Sequence, residues 1–278
     1  MPVWNRVDPI LMAVESVLRQ SFHNLGLLMV GDGTIDALAG IPDPRQRCFV
    51  NPHNTGIRAA RSQWVAFQNS DNEWLPQKLE KQIALLVEAG PDVVVFYTGM
   101  TIIGRSEQRR GGRAVLAYIS GPEELFVEGD LLARSFFRTQ MFRAHRSALL
   151  EAGGFEEALA TFVGWDCVIW LAQRGHFGFA EKPLIVENFF ANNISFSRIK
   201  RLRAHIRIVE KYATRPRIPA EHNIAIMGVQ RRIGDLAAAC ASLAVARRFH
   251  PRSLLVRLRK LWLIVLFLLL QKRPAKGS

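Results

Sequence analysis

Apolar positions along the chain fall into two periods that alternate. Between Asp8 and Gln20 they recur at Ile10, Leu11, Val14, Val17 and Leu18, the spacing of one buried helical stripe. Leu25 to Val30 is a short apolar run ending in Gly31-Asp32-Gly33, which predicts a buried strand feeding a turn. Trp64 to Phe67 predicts another strand, stopped by the polar cluster Gln68-Asn69-Ser70-Asp71-Asn72. Leu75 to Ala89 predicts a helix with Pro76 in its first turn, where the missing N–H has no intrahelical partner to lose. Val93 to Tyr97 predicts the next buried strand. This alternation implies an α/β class with a mostly parallel sheet and helices on both faces. In such sheets ligands bind beyond the carboxyl ends of the strands, where Asp32 and Asp71 both fall.

The second half changes character. Thr101 to Glu128 is polar and rich in glycine (Gly104, Gly111, Gly112, Gly121) and reads as a loop. Helices are predicted over 143–152, closed by Gly153-Gly154, and over 165–174, with Gly175 as its cap. Beyond Asn192 the pattern is helical throughout, over 197–212, 222–233, 236–248 and 253–270. The boundaries drawn from this are an α/β domain over residues 1–193 and a helical extension over 194–278, with no internal repeat.

Composition adds two exclusions and one partner. A 49% hydrophobic and 22% charged content is that of a chain with a core and excludes wide disorder. Three scattered cysteines, Cys48, Cys167 and Cys240, give neither metal-ligand spacing nor a disulfide framework, so a reducing cytoplasm is the expectation. The net charge of +13 is unevenly placed: from Arg198 onward 19 Lys or Arg stand against three acids, while the rest of the chain is slightly acidic. Such asymmetry predicts an anionic partner for the tail. Leu261 to Leu270 is uninterrupted apolar sequence flanked by Arg257, Arg259, Lys260, Lys272 and Arg273. A span needs about 20 such residues, so a helix over 253–271 lying in an anionic membrane surface, or buried in a helical cap, fits better. Basic and aromatic residues do not interleave there as they do in nucleic-acid readers, so no specific nucleic acid is expected.

Six segments resemble one known family in order and spacing, over roughly Met1 to Asn193. They are MPVWNR (1–6), AVESVLRQSF (13–22), VGDGTID (30–36), WVAFQNSDNEWLPQKLEKQIALL (64–86), GGFEEAL (153–159) and GWDCVIWLAQRG (164–175). They resemble the P-V-Y-N-R, V-D-D-G-S-T-D, D-S-D-D-x-W-x-P-x-K-L-E-x-Q, G-G-F-D-E and E-D-W-D motifs of the inverting family 2 glycosyltransferases. That resemblance implies a GT-A fold, a nucleotide-diphosphate sugar donor and a glycan or lipid-linked acceptor. It also implies work in cell-envelope polysaccharide synthesis, peripheral on the inner face of the cytoplasmic membrane.

The resemblance assigns roles by position. Asp32 would read the nucleotide base, although an Asp fixing its own turn gives the same sequence. Pro2, Val3, Asn5, Arg61, Asn69 and Ser70 would line the nucleotide-sugar site, with Arg58 as a further cover for the diphosphate. Asp71 matches the last acid of the metal motif and would hold Mn²⁺ or Mg²⁺, hard cations that suit an oxygen ligand; it also reads as a helix cap. Departures cluster here. The motif's other acids are Asn69 and Asn72, and the family's base position is Gly164, preceded by Val163. Asp166 is then the candidate base, with a first-turn acid favoured by the helix dipole as its structural alternative. Glu156 and Glu157 are further candidates. The strand that opens family members has no counterpart ahead of Met1, and 54–64 is shortened by about a helical stretch. Together these departures carry a second expectation: a relative that binds nucleotide sugar, or a partner enzyme, without turnover.

Overall fold

A computed structural model describes residues 1–3, 7–31, 42–50, 54–103, 113–115, 137–188, 197–214 and 217–249. Its chain packs as two compact units. The first takes in most of residues 1–193 and the second the helices from Ile194 onward.

The first unit opens with β1 (Pro2–Val3), α1 (Val7–Leu18), β2 (Leu27–Gly31), β3 (Gln46–Val50) and α2 (Thr55–Ala59). Strands β1, β2 and β3 form a parallel sheet, with Pro2 opposite Val30 and Leu27 opposite Gln46. Alternation along β2 buries Leu27, Met29 and Gly31, and the stripe of α1 buries Ile10, Ala13, Val14 and Val17 against the same core.

There follow β4 (Trp64–Ala66), β5 (Asn72–Trp74), α3 (Lys78–Glu88), β6 (Val93–Ile103) and β7 (Arg113–Val115). A 3₁₀ turn at Thr139–Met141 leads into β8 (Phe142–His145), α4 (Arg146–Glu151), α5 (Val163–Leu171) and β9 (His176–Asn188). Strand order in this second sheet is β4-β8-β6-β9-β5, with β7 on β6. Pairing is mixed. The β6–β9 pair is parallel, whereas β8, β7 and the short β4 and β5 pair antiparallel. The α/β class holds, and its parallel character is confined to β1–β2–β3 and β6–β9.

Three elements differ from the sequence expectation. Residues 142–145 belong to β8 rather than to a helix from Arg143, because they fill the slot between β4 and β6. Helix α3 starts at Lys78, not Leu75: the Leu75 N–H donates to Leu184 O on β9 (2.9 Å), and Gln20 Oε1 accepts the Leu79 N–H (3.0 Å). Residues 101–103 extend β6 rather than opening a loop, since β9 pairs with them to Asn188.

Gln20, fully buried, fastens α1 to this corner by also donating through Nε2 to Ser16 O (3.0 Å) and Leu75 O (2.9 Å). Such a side chain is buried only because its polar atoms are satisfied. Two basic side chains are buried at α3: Lys78 opens the helix, and Arg143 donates to Gln82 O. The Lys78 ammonium sits 3.8 Å over the Trp74 ring, and the Arg143 guanidinium lies against Trp64 and Phe96. Burial, with Arg143 nearby, holds the Lys78 amine well below its ordinary range.

The second unit contains α6 (Arg198–Lys211), α7 (Arg217–Arg232) and α8 (Leu236–Phe249). The α7–α8 turn uses Gly234 at φ +89°, and Asp235 Oδ1 caps α8 at the Ala238 N–H (3.0 Å). His205 and His222 meet in its interior with their Nδ1 atoms 3.0 Å apart. The helix expected over 253–271 lies outside the described residues, and among those described no helix is long and apolar enough to cross a membrane.

Candidate active site

The polar cluster after β4 forms a tight loop that reverses the chain into β5. Gln68, 2% exposed, closes it by donating from Nε2 to Asn72 O. Asn69 Nδ2 donates to Oε1 of the buried Gln140 (3.0 Å), which ties the loop to the 3₁₀ turn. Ser70 and Asp71 at the tip are half-buried. Asn69, Ser70 and Asp71 are thus held together, with Asp71 immediately ahead of β5.

A carboxylate that sequence reasoning missed comes to the same place. Glu187 on β9 stands directly opposite Asn72 in the antiparallel β5–β9 pair. Side chains at directly opposed positions share a face, with Cβ atoms about 5 Å apart. Glu187 is 5% exposed and ion-paired to Arg138, one residue before the 3₁₀ turn. Burial raises its carboxyl above the ordinary range; Arg138 opposes that rise and the charge of Asp71 adds to it. Its Oε2 has no hydrogen-bond partner, and neither does Oδ1 of Asn72 or Oε1 of Gln68. Three buried acceptor oxygens without donors thus surround the loop, where buried polar atoms are ordinarily paired. No motif marks Glu187, Arg138 or Gln140, and no local period of the sequence singles them out.

The 3₁₀ turn also meets the start of α5. A Cβ built on Gly164 would lie 2.6 Å from Thr139 Oγ1, 3.0 Å from its N and 3.1 Å from its Cα. The helix is entered through Phe162 in the left-handed region (φ 67°), whose carbonyl accepts the Asp166 N–H (2.9 Å). Asp166, in the first turn, is 2% exposed. Gly153 and Gly154, both at positive φ, carry the G-G-F segment. Asn54, itself at φ 67°, clamps that segment by accepting the Phe155 N–H at Oδ1 (2.7 Å) and donating from Nδ2 to Phe155 O (3.0 Å). Glu156 and Glu157 follow in the turn beyond it.

Of the remaining sequence-derived positions, Arg61 is exposed just beyond α2, and Arg58 lies on α2. Pro2 and Val3 contribute backbone to β1. Asn5 and Asp32 lie outside the described residues. Among the described residues no group of three or more His, Cys, Asp or Glu could hold a metal ion. The donors near Asp71 are two carboxylates and amide oxygens, all hard, and the unpartnered Glu187 Oε2 and Asn72 Oδ1 are acceptors of the kind Mn²⁺ or Mg²⁺ takes. In that chemical sense the residues fit the cation that the motif implies.

Over 147 residues the chain is 31% identical to the succinoglycan biosynthesis protein ExoO of Rhizobium meliloti (strain 1021), covering 48% of this chain and 42% of that one. It is 29% identical over 100 residues to the UDP-Glc:alpha-D-GlcNAc-diphosphoundecaprenol beta-1,3-glucosyltransferase WfgD of Escherichia coli, covering 32% and 40%. The chain therefore spans less than half the length of either relative. Among solved structures it resembles the mannosyltransferase PcManGT of Pyrobaculum calidifontis in complex with GDP-Man and Mn²⁺ (TM-score 0.55, 17% identity, 96% of this chain and 79% of that one). It also resembles S. aureus TarS 1-349 in complex with UDP (TM-score 0.55, 15% identity, 89% and 80%). These likenesses show a GT-A fold. The sequence profile of "Glycosyl transferase family 2" matches residues 1–157, more than half of the chain, and the chain belongs to that family.

Proposed function

We propose that this chain transfers a sugar from a nucleotide-diphosphate donor to a glycan or lipid-linked acceptor, in the synthesis of a cell-envelope polysaccharide. The observation that carries the reading is the Asn69-Ser70-Asp71 loop, held beside α5 by Gln140 and the 3₁₀ turn. Asp71 holds Mn²⁺ or Mg²⁺, which when bound neutralises charge on the leaving diphosphate. Asp32 reads the base, while Pro2, Val3, Asn5, Arg61, Asn69 and Ser70 line the donor site. Asp166 removes the proton of the acceptor hydroxyl as it attacks the anomeric carbon with inversion. Its 2% exposure requires that hydroxyl to be delivered against the start of α5. The relatives that act in succinoglycan synthesis and on a diphosphoundecaprenol-linked sugar support this substrate class.

The proposed place of action is the inner face of the cytoplasmic membrane. Helix α6 carries six Lys or Arg against one acid and exposes Ile199 (60%) and Ile206 (40%), as a helix resting on anionic lipid does. The segment 253–271 would add its apolar stretch. Flotation with anionic vesicles at low salt should carry the protein, and removal of residues 251–278 should weaken it; retention by duplex DNA instead would redirect the partner.

The decisive assay is release of nucleoside diphosphate from a panel of UDP- and GDP-sugars with Mn²⁺. Asp71→Asn should lose on the order of 10²-fold or more, and Asp166→Asn about 10²- to 10⁴-fold. Equal turnover in Asp71→Asn sinks the metal role, and equal turnover in Asp166→Asn sinks the base. One observation favours a second reading, a relative that binds donor without turnover: Gly164 packs on Thr139 with no room for the carboxylate that the family carries there. Calorimetric binding of a nucleotide sugar by a chain with no turnover would select it.

A further inference from the structure

We propose that Glu187 is the second carboxylate ligand of the divalent cation at Asp71, supplying the charge that Asn69 does not. The proposal rests on the metal role given to Asp71 above.

Three independent observations point the same way. The first is register: Glu187 faces Asn72 across the β5–β9 pair, one residue along the chain from Asp71, and the Asp71 charge is felt at its carboxyl. The second is the state of its oxygens. Oε1 is taken by Arg138, while Oε2 is buried with no donor, in a residue 5% exposed. The third comes from a different side chain on the same face. Asn72, 2% exposed, leaves Oδ1 equally without a donor. Buried acceptors with no N–H donor are costly, and a hard cation would satisfy both by coordination. Asn69 cannot take this part with a charge, and its amide N–H is committed to Gln140 (3.0 Å). Arg138 pairs with Oε1 and leaves Oε2 for the cation.

Mn²⁺ binding measured by loss of the free-ion EPR signal, at pH 8 with UDP or GDP present, reads the site without requiring turnover. Wild type should bind. Glu187→Gln and Asp71→Asn should each raise the dissociation constant about tenfold or more, as expected when a charged oxygen ligand is lost. Arg138→Gln removes the same ion pair but keeps both carboxylates, and should stay within about threefold of wild type. Glu187→Asp keeps the charge and should fall between, which guards against misfolding of the Gln variant; a thermal melt without metal checks each fold.

Wild-type affinity in Glu187→Gln overturns the proposal, as does equal weakening in Glu187→Gln and Arg138→Gln. In both cases Asp71 keeps its role if Asp71→Asn alone abolishes binding. No Mn²⁺ binding by wild type with either nucleotide overturns both readings. Mn²⁺ lost in both carboxylate variants of a chain that turns over no donor leaves Glu187 a ligand and removes only sugar transfer.

Discussion

Replacing Gly164 by alanine tests the packing that separates this site from its relatives. The new Cβ would stand 2.6 Å from Thr139 Oγ1, 3.0 Å from Thr139 N and 3.1 Å from Thr139 Cα. Threonine is stiff at χ1, and two of the three atoms are backbone in a 3₁₀ turn pinned by Gln140 and Arg138. Rotation of one hydroxyl therefore cannot clear the space. Overpacking costs about 1–3 kcal/mol, and a clash that backbone must move to relieve falls in the upper part, about 2–3 kcal/mol, against a helix-propensity gain from Gly to Ala of at most about 1 kcal/mol. The net expectation is a loss of about 1–2 kcal/mol, a fall in Tm of roughly 2–8 °C for a domain of this size. Urea unfolding of wild type, Gly164→Ala, Thr139→Ala and the double variant completes the cycle. The double variant should recover only the share owed to Oγ1, because the contacts to N and Cα remain. Gly164→Asp should be at least as unstable as Gly164→Ala, so restoring the family's acid would not restore its geometry. Gly164→Ala at or above wild-type stability would refute the reasoning.

Three further outcomes follow from other parts of the chain. Gly153 and Gly154 both adopt positive φ, but only at Gly154 does the Asn54 amide occupy the space a Cβ needs; Gly153→Ala should cost about 1–2 kcal/mol for strain and Gly154→Ala clearly more, with equal melts counting against the Asn54 clamp. Burial, with Arg143 nearby, holds the Lys78 amine well below its ordinary range, so the unfolded chain binds more protons and stability should rise as pH approaches the ordinary lysine range; Lys78→Met should flatten that rise, and parallel urea midpoints at pH 7 and 9.5 would exclude it. Burial holds His205 down at about 4 and His222 at about 3, so the native state resists protons that the unfolded chain takes below pH 6.5. Stability of the helical unit should therefore fall from pH 6.5 towards 4, and a His205→Leu/His222→Leu variant that falls just as steeply would refute it.

Much of the fold was legible because α1 and α3 carry unbroken helical periods over a buried stripe, and β2 is a short apolar run that ends in a turn. Strand β8 was read as helix because Phe142–His145 runs directly into Arg146–Glu151; only its two neighbours in the sheet decide its state. Strand β9 was missed for a related reason. Its pairing with β6 shifts register between Thr98 and Gly99, which breaks the alternation a single strand would show. The loop at Asn69 to Asp71 was legible as chemistry, since motif residues are local. Glu187 and Arg138 were not, because Glu187 reaches the loop through strand pairing across more than 100 residues of sequence and Arg138 comes in through its ion pair to Glu187.

That difference bears on how the site is charged. Read along the chain, positions 69–72 keep one acid, Asp71, with amides at Asn69 and Asn72, and Gly164 has no side chain. Read in space, a second carboxylate stands beside Asp71, and its other oxygen is balanced by Arg138. Two carboxylates and one guanidinium leave the loop with one net negative charge, which suits a divalent cation that arrives with a diphosphate carrying its own negative charge. A site of three free acids would hold the cation more tightly without nucleotide; this arrangement favours binding the two together. The measurable consequence is that Mn²⁺ affinity should increase at least about tenfold when UDP or GDP is present, in the range of coupling free energies between linked sites. Equal Mn²⁺ affinity with and without nucleotide would show that the cation, where it binds, is not held for the diphosphate.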